Sequence, residues 1–110
     1  MEFKKEKKDN VSGIKIVAVE NGQEAGRAFL YLLKNDLHQE PFGFLEDVFV
    51  EAEYRKQGLG SQLVEKVIEE AKAQGCYKLI ATSRSSKPEL EKFYAKFGLN
   101  VWGVEYRKDL

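Results

Sequence analysis

This chain of 110 residues contains one cysteine, one histidine and two prolines, and its net charge is zero. The single cysteine, Cys76, excludes an internal disulfide bond and any metal site built from several cysteines. The 18 basic residues balance the 18 acidic ones, which argues against a dedicated nucleic-acid-binding protein, because such proteins usually carry a basic surface. No apolar run approaches the length of a membrane span, and the charged N-terminus lacks the apolar stretch of a signal peptide. We therefore expect a cytoplasmic protein with no nucleic-acid partner, no membrane partner and no metal ion.

The size of the chain allows one domain with a single hydrophobic core. Hydrophobic residues make up 43% of the sequence and charged residues 33%, as in an ordinary globular protein. No repeat, low-complexity tract or linker divides the chain. We expect residues 1–110 to form a single domain, in which the charged residues 1–10 are disordered or form a weak first strand.

The first half of the chain has the pattern of three strands. Ile14, Ile16 and Ala18 alternate with Lys15 and Val17, a strand pattern, and Asn21-Gly22 is typical of a tight hairpin turn. In residues 26–33 both alternating sets from 28 onwards are apolar or aromatic, which favours a strand buried on both faces over a helix. Residues 44–50 form the next apolar run, and the remaining aromatics, Trp102 among them, are assigned to the core.

The second half alternates between helices and strands. An apolar stripe at helical spacing predicts a helix over residues 61–74, with Ser61 as a capping hydroxyl and Gly75 at its end. A short strand over 77–82 should be parallel to 44–50, because a helix connects the two. Pro88 suits the first turn of a second helix that ends before Gly98. Residues 101–108 then close the chain as a bent strand or short hairpin, which predicts the order β-β-β-α-β-α-β and an α/β sandwich with a mixed sheet.

The segment 55–60 lies between the strand over 44–50 and the helix over 61–74. Its sequence is Arg-Lys-Gln-Gly-Leu-Gly. A glycine-containing turn at the start of a helix exposes backbone N–H groups at the positive end of the helix dipole, so we expect an anion site, most simply for phosphate. Gly60 is not followed by the Lys-Ser/Thr of a P-loop, and a third glycine for a dinucleotide fingerprint is absent.

The same segment resembles the R/Q-x-x-G-x-G/A motif of the GCN5-related N-acetyltransferases (GNAT), which binds acetyl-CoA. Residues 46–50 are similar to the family's fourth strand, and 103–107 to its closing strand. The sequence Phe-Tyr-Ala-Lys-Phe-Gly-Leu over 93–99 is similar to the family's F-Y-x-x-x-G-F helix end. The chain is thus identified as a compact member of this family, and the resemblance covers most of the sequence from Ile14 onwards.

The resemblance implies a fold with a mixed sheet, in which splayed parallel central strands are flanked by helices and hold acetyl-CoA. Backbone donors of the turn would surround the pyrophosphate, and they belong to Gln57, Gly58, Leu59, Gly60 and Ser61. The pantetheine arm would enter the gap between the splayed strands and pair with the backbone of Val48, Phe49 and Val50. Arg55 either supports the turn by hydrogen bonding or is an exposed loop residue, and Lys56 either lies near the 3′-phosphate or is a surface charge.

The chemistry implied is direct attack of a primary amine on the thioester, with two candidate catalytic residues. Tyr94 matches the family's tyrosine near the coenzyme A sulfur and would protonate the departing thiolate, although its place on the apolar stripe also suits a core residue. Glu46 would act as base through a water molecule, or else sit in a salt bridge or at a solvated strand end. Strand alternation sends Glu46 and Asp47 to opposite faces. Cys76 and His38 receive no role.

The sequence departs from the family pattern around the acceptor site. Lys87 replaces a frequent asparagine that contacts the pantetheine arm, for which Ser85 or Ser86 could substitute. The opening strands are joined by residues 20–24, too few for the usual helices, so the acceptor side should be open. An open side suits a small amine, a protein or peptide amine, or completion by a second subunit in a homodimer. Two other functions stay open, a non-catalytic acyl-CoA-binding or regulatory module on this fold and a small interaction domain.

Overall fold

A four-stranded mixed sheet forms the centre of the computed structural model, which describes residues 1–83 and 87–110. The elements in chain order are β1 (Ser12–Glu20), β2 (Gln23–Leu33), β3 (Phe42–Val50), a short 3-10 helix (Ala52–Tyr54), α1 (Leu59–Ala73), β4 (Leu79–Ala81) and α2 (Pro88–Ala95). The strand order is β1-β2-β3-β4, with the first three strands antiparallel. β4 is parallel to β3, which confirms the prediction drawn from the helical crossover between them.

A two-residue turn joins β1 to β2. Asn21 and Gly22 both have left-handed backbones, with φ of 51° and 77°, as a type I′ hairpin turn requires. This turn leaves no chain for helices between the opening strands, so that side of the sheet is open, as the sequence predicts.

The core lies between one face of the sheet and α1. Its fully or nearly buried side chains are Ala28, Leu30, Leu32, Leu45, Leu63, Val64, Val67 and Ala71. On the opposite face of β2, Phe29 and Leu33 are only half-buried and Tyr31 is 38% exposed. The prediction that this strand is buried on both faces is therefore wrong, because α1 covers only one face of the antiparallel strands.

Glycines end both helices, as the sequence predicts. Gly75 and Gly98 have φ of 78° and 83°. This left-handed conformation is sterically unfavourable for residues with a Cβ and readily adopted by glycine. In each case the amide after the glycine donates to the carbonyl five residues back, at 3.0 Å for α1 and 3.1 Å for α2. These bonds satisfy carbonyls that would otherwise lack a partner at the helix end.

The C-terminal end of the chain differs from the prediction, and at the N-terminal end one of the two predicted alternatives is excluded. Residues 101–110 form no strand, and Trp102 is 97% exposed rather than part of the core. The edge strand β4 has only three residues, so it offers few backbone groups with which a closing strand could pair. Residues 1–11 are exposed and the weak first strand does not form.

Neither of the two helices in the described part of the chain is both long and apolar enough to cross a lipid bilayer.

We predict that Leu30→Ala lowers the free energy of unfolding by about 2–5 kcal/mol, because it leaves a cavity in the centre of the core. Leu30 has no exposed surface. The control is Val19→Ala on β1, where the side chain is 64% exposed and the expected change is below about 0.5 kcal/mol. Urea denaturation followed by circular dichroism measures both, and equal losses would contradict this description of the core.

Candidate active site

An opening between β3 and β4 is the main feature of the site. The two strands pair only where residues 43–45 of β3 face Leu79–Ala81. β3 then continues to Val50, and in the described part of the chain no strand pairs with residues 46–50 on that side. This gap corresponds to the splay that the family resemblance implies, with the backbone of Val48, Phe49 and Val50 along one wall.

A β-bulge bends β3 at the start of this opening. Asp47 and Val48 together lie opposite the single residue Ala28 of β2. The φ of Asp47 is 51°, which aspartate tolerates better than most residues. The bulge breaks the strand alternation, so that Leu45 and Val48 both pack on the buried cluster.

Arg27 holds the bulge in place from the neighbouring strand. Its Nε donates to a carboxylate oxygen of Asp47 at 3.1 Å, and its guanidinium lies 4.7 Å from the centre of the Phe49 ring. The hydrogen bond to Asp47 raises the pKa of Arg27. Because Arg27 lies on the open face of β2, Asp47 is drawn to the face that also carries Glu46, and the prediction of opposite faces is wrong.

The glycine turn leaves the start of α1 without a side-chain cap. Gly58, with φ of 80°, is the residue before the helix, and no side chain caps the first turn. The prediction that Ser61 caps the helix is wrong, since Ser61 already lies inside it. The first N–H groups of α1, from Leu59, Gly60 and Ser61, therefore point out of the helix end without a capping side chain. Such a group of donors favours an anion, and phosphate above all.

Arg55 connects this turn to the end of β3. Its Nε donates to the carbonyl oxygen of Val50 at 2.8 Å, and its guanidinium lies 5.4 Å from the Phe49 ring centre. Of the two roles predicted for Arg55, the geometry favours support of the turn. Lys56 is exposed and has a left-handed φ of 64°, and the side chain of Gln57 contacts the Glu53 carbonyl at 3.5 Å.

Three elements meet beside the turn. A methyl group placed on Gly60 would lie 3.9 Å from Val50 Cγ2 and 4.0 Å from Phe93 Cζ. The end of β3, the start of α1 and the middle of α2 are therefore neighbours. These distances are ordinary contacts, so protein packing itself would accept the alanine that the family motif allows at this position.

A closer approach occurs at Gly26, a residue to which the sequence assigned no role. A Cβ at Gly26 would lie 2.9 Å from the Phe49 carbonyl oxygen and 3.1 Å from Leu63 Cδ1. A side chain there would push β2 away from β3 and α1. The sequence shows a glycine within an apolar strand, which is the only signal for such an approach.

Tyr94 and Glu46 interact electrostatically across this junction. The Tyr94 ring is half-buried and lies 5.3 Å from the Phe93 ring. Burial raises the pKa of Tyr94, and the negative charge of Glu46 raises it further. The phenol thus stays protonated throughout the neutral pH range and can donate a proton. The negative charge of Glu46 is thus felt at the Tyr94 phenol, and the catalytic roles of both side chains stay a prediction.

A cleft of about 500 Å³ opens on the face of the sheet away from α1. Its lining consists of Tyr31, Leu33, Phe44, Glu46, Thr82 and Glu105. Only Glu46 was expected from the sequence to face a cleft. Tyr31 and Phe44 lie directly opposite each other on β2 and β3, and apolar strands do not reveal which of their side chains stay uncovered.

The remaining candidates lie apart from this junction. Cys76 is half-buried against the core and burial raises its pKa, which disfavours the thiolate. His38 is exposed, with its ring 4.5 Å from that of Tyr77. Ser85 and Ser86, the suggested replacements for the family asparagine, lie outside the described residues. Within residues 1–83 and 87–110, no three acidic, histidine or cysteine side chains are grouped to hold a metal ion.

Comparison with known proteins gives consistent matches. The family model described as Acetyltransferase (GNAT) family matches residues 2–99. Glucosamine 6-phosphate N-acetyltransferase 1 of Oryza sativa subsp. japonica is 46% identical over 56 residues, which are 51% of this chain and 32% of the rice protein.

Two crystal structures have the same fold. An acetyltransferase of Trypanosoma brucei superposes with a TM-score of 0.81 at 30% identity, covering 89% of this chain and 69% of the other. The glucosamine-6-phosphate N-acetyltransferase of Arabidopsis thaliana gives 0.79 at 28% identity, covering 88% and 66%. The matched part of the chain thus spans about a third of the rice protein and about two thirds of these structures.

We predict that Gly58→Glu weakens coenzyme A binding at least about 100-fold, because the carboxylate would occupy the phosphate position and like charges brought together cost several kcal/mol. The matched control is Gly22→Glu in the β1–β2 turn. Gly22 has a similar φ of 77°, and a Cβ added at either glycine would meet no atom within 4 Å, so the backbone strain of the two substitutions is similar.

Isothermal titration calorimetry with coenzyme A measures both variants, and thermal melting compares their stability. We expect both to lose similar stability and only Gly58→Glu to lose affinity. Equal affinities in the two variants would show that the phosphate does not bind at this turn.

Proposed function

Because the chain belongs to the acetyltransferase (GNAT) family, we propose that it is an acetyl-CoA-dependent N-acetyltransferase acting on a primary amine. Acetyl-CoA is the acetyl donor in this family. The observation that carries the proposal is the opening between β3 and β4 beside the uncapped start of α1. Since the chain spans only part of its relatives, the activity, the acceptor and the partners are all proposed here.

The residues of the opening suit coenzyme A. Its pyrophosphate would accept hydrogen bonds from the backbone N–H groups of residues 57–61, at the positive end of the α1 dipole. Its pantetheine amides would pair with the backbone of residues 48–50, in the place that a strand would otherwise take. Lys56 would lie on the phosphate side of the turn.

The transfer consists of one bond formed and one bond broken. The neutral amine nitrogen attacks the thioester carbonyl carbon, a C–N bond forms, and the C–S bond breaks to release the thiolate of coenzyme A. The amine loses a proton to Glu46 through a water molecule, and the thiolate gains a proton from Tyr94. A thiolate is a good leaving group, so the reaction needs no covalent intermediate with the enzyme.

The electrostatics of Tyr94 support its role as the acid. A phenol in the neutral form is the donor that the thiolate needs, and both burial and the charge of Glu46 favour that form. The same charge on Glu46 suits a base that accepts the proton of an ammonium ion. One carboxylate thus has two effects, as it receives a proton and keeps Tyr94 protonated.

We predict that Tyr94→Phe and Glu46→Gln each lower kcat on the order of 100-fold, the usual contribution of a positioned acid or base. Controls are Tyr77→Phe and Glu65→Gln, which change exposed residues to which no role is assigned and should leave kcat nearly unchanged. The assay follows thiol release from acetyl-CoA in the presence of an amine.

The pH profile gives a second readout for the same variants. Activity should fall at high pH as Tyr94 loses its proton, and the raised pKa moves this fall above the ordinary value of 10.0. Removing the negative charge in Glu46→Gln lowers the pKa of Tyr94, so the residual activity should fall at lower pH. If both variants keep the wild-type kcat, or if the fall of activity at high pH stays at the same pH in Glu46→Gln, the proposed roles of Tyr94 and Glu46 are wrong.

A non-catalytic acyl-CoA-binding module is the second candidate. The two-residue connection between β1 and β2 favours it, because the helices that family members usually have between their opening strands help to wall the acceptor site. Binding of coenzyme A without turnover of any amine would support this candidate over the enzyme. Absence of binding would favour the third alternative, a small interaction domain.

The acceptor is proposed to be a small amine or a protein or peptide amine. The rice and Arabidopsis relatives are named for glucosamine 6-phosphate, which makes an amino sugar one kind of small amine to test with this chain. We also propose a cytoplasmic location, supported by the free state of the single cysteine.

A homodimer is proposed on the basis of the C-terminal tail, residues 101–110. Its apolar side chains Val101, Trp102, Val104 and Tyr106 are all exposed. Exposed apolar segments of this kind mark association surfaces. We propose that two copies associate through these apolar side chains, while Glu105 of the tail keeps its place in the cleft of its own chain.

We predict that the wild-type protein has twice the monomer mass of 12.6 kDa in light scattering and that Trp102→Ser with Val104→Ser restores the monomer. The control is Phe3→Ser with Val11→Ser, which changes an exposed aromatic residue and an exposed valine at the other end of the chain. A monomeric wild type at all concentrations, or a dimer that survives the tail substitutions, would contradict the proposal.

A further inference from the structure

The charges of the cleft on the open sheet face point to one class of acceptor. This inference rests on the proposed acetyltransferase function and deepens it. Among the lining side chains that the structure describes, Glu46 and Glu105 are carboxylates and none is a lysine, arginine or histidine. The other polar side chains of the lining are the Tyr31 phenol and the Thr82 hydroxyl.

The cleft leads directly to the proposed chemistry. Glu46 lines the cleft, and its charge also acts on the Tyr94 hydroxyl. An amine in the cleft therefore lies on the acceptor side of the same junction at which the thioester would be placed. A volume of about 500 Å³ is typical of a small-molecule site.

The aromatic side chains add a second preference for positive charge. Tyr31 faces Phe44 across the β2–β3 pair, and its ring stacks on Phe29 at 6.0 Å. Aromatic faces attract ammonium groups and pack on aliphatic stems. The cleft thus combines carboxylates for charged ends with apolar walls for a methylene chain.

Two cations on the open face of β1 and β2, Lys15 and Arg27, form ion pairs with carboxylates. Arg27 is bonded to Asp47 at 3.1 Å and lies 3.7 Å from Glu24. Lys15 forms a salt bridge with the same Glu24, with its Nζ 3.1 Å from a carboxylate oxygen. An anionic group in the cleft would meet Glu46 and Glu105, with no free cation among the described lining residues to balance it. A phosphate or carboxylate on the acceptor is therefore disfavoured.

We propose that the acceptor is a small amine with an aliphatic stem and a second positive group, and that it carries no phosphate. One amine loses its proton to Glu46 and attacks the thioester, and the second ammonium is held by Glu105 and the aromatic walls. The transfer is the one described above, with a C–N bond formed and the C–S bond broken.

The test compares five-carbon amines that differ only in the charge at the far end. These are 1,5-diaminopentane, with a positive end, pentylamine, with a neutral end, and 5-aminopentanoate, with a negative end. We expect kcat/KM to fall in this order, by about fivefold at each step, the upper range for a partly exposed charge pair. Glucosamine and glucosamine 6-phosphate form a second matched pair, in which the unphosphorylated amine should be preferred.

Charge reversal at Glu105 identifies the residue responsible. Glu105→Gln should bring the ratio of diamine to pentylamine close to one, and Glu105→Lys should make 5-aminopentanoate the better substrate than the diamine. Glu65→Gln on the exposed side of α1 is the control and should keep the wild-type ratio. A gain of function with the anionic amine is a result that misfolding cannot produce.

Measurements of amine binding and of acetyl transfer together show whether the acceptor class is wrong or the acetyltransferase function itself is wrong. Acetylation that favours pentylamine, the anionic amine, the phosphorylated sugar or a lysine peptide over the diamine would overturn the acceptor class and leave the acetyltransferase intact. Absence of turnover with every amine would overturn the enzymatic function. In that case calorimetry with coenzyme A present still decides the charge preference, by whether the diamine binds more tightly than the other two amines.

Discussion

The separation of β3 from β4 is the constraint on which the site depends. Parallel pairing ends after three residues, at Leu45 and Ala81, and the bulge at Asp47 begins immediately afterwards. A bulge adds one residue to a strand, bends it and strengthens its twist. On the side that faces β4, the backbone beyond the bulge therefore pairs with no described strand. Its free N–H and C=O groups can form hydrogen bonds with a bound ligand.

The interactions around this edge keep it open. Arg27 joins Asp47 to the Phe49 ring from the side of β2, and Arg55 joins the Phe49 ring to the Val50 carbonyl from the side of the turn. Two arginines thus contact the same aromatic ring and hold both ends of the bent segment. Gly26 lets β2 lie close enough for this arrangement, since a Cβ there would meet the Phe49 carbonyl at 2.9 Å.

The same local arrangement links the donor side to the acceptor side. The uncapped end of α1 lies beyond Val50, and the cleft with Glu46 lies before the bulge. Between them, the charge of Glu46 acts on the half-buried phenol of Tyr94. We propose that the carboxylates and aromatic rings of the cleft select the acceptor.

Features that depend on local chemistry could be predicted from the amino-acid sequence. The Asn21-Gly22 turn, the helix-ending Gly75 and Gly98, the parallel crossover and the glycine turn at residues 55–60 all follow from backbone preferences that a few neighbouring residues express. Which faces are covered and where the strands part became visible only in the folded chain. No local pattern shows that Asp47 adopts a left-handed backbone, that Tyr31 stays exposed or that Trp102 lies outside the core, because each depends on what distant segments do or do not pack against it. The proposed binding turn can therefore be recognised in the sequence, whereas the proposed acceptor cleft forms only when β2, β3 and the C-terminal tail come together in the fold.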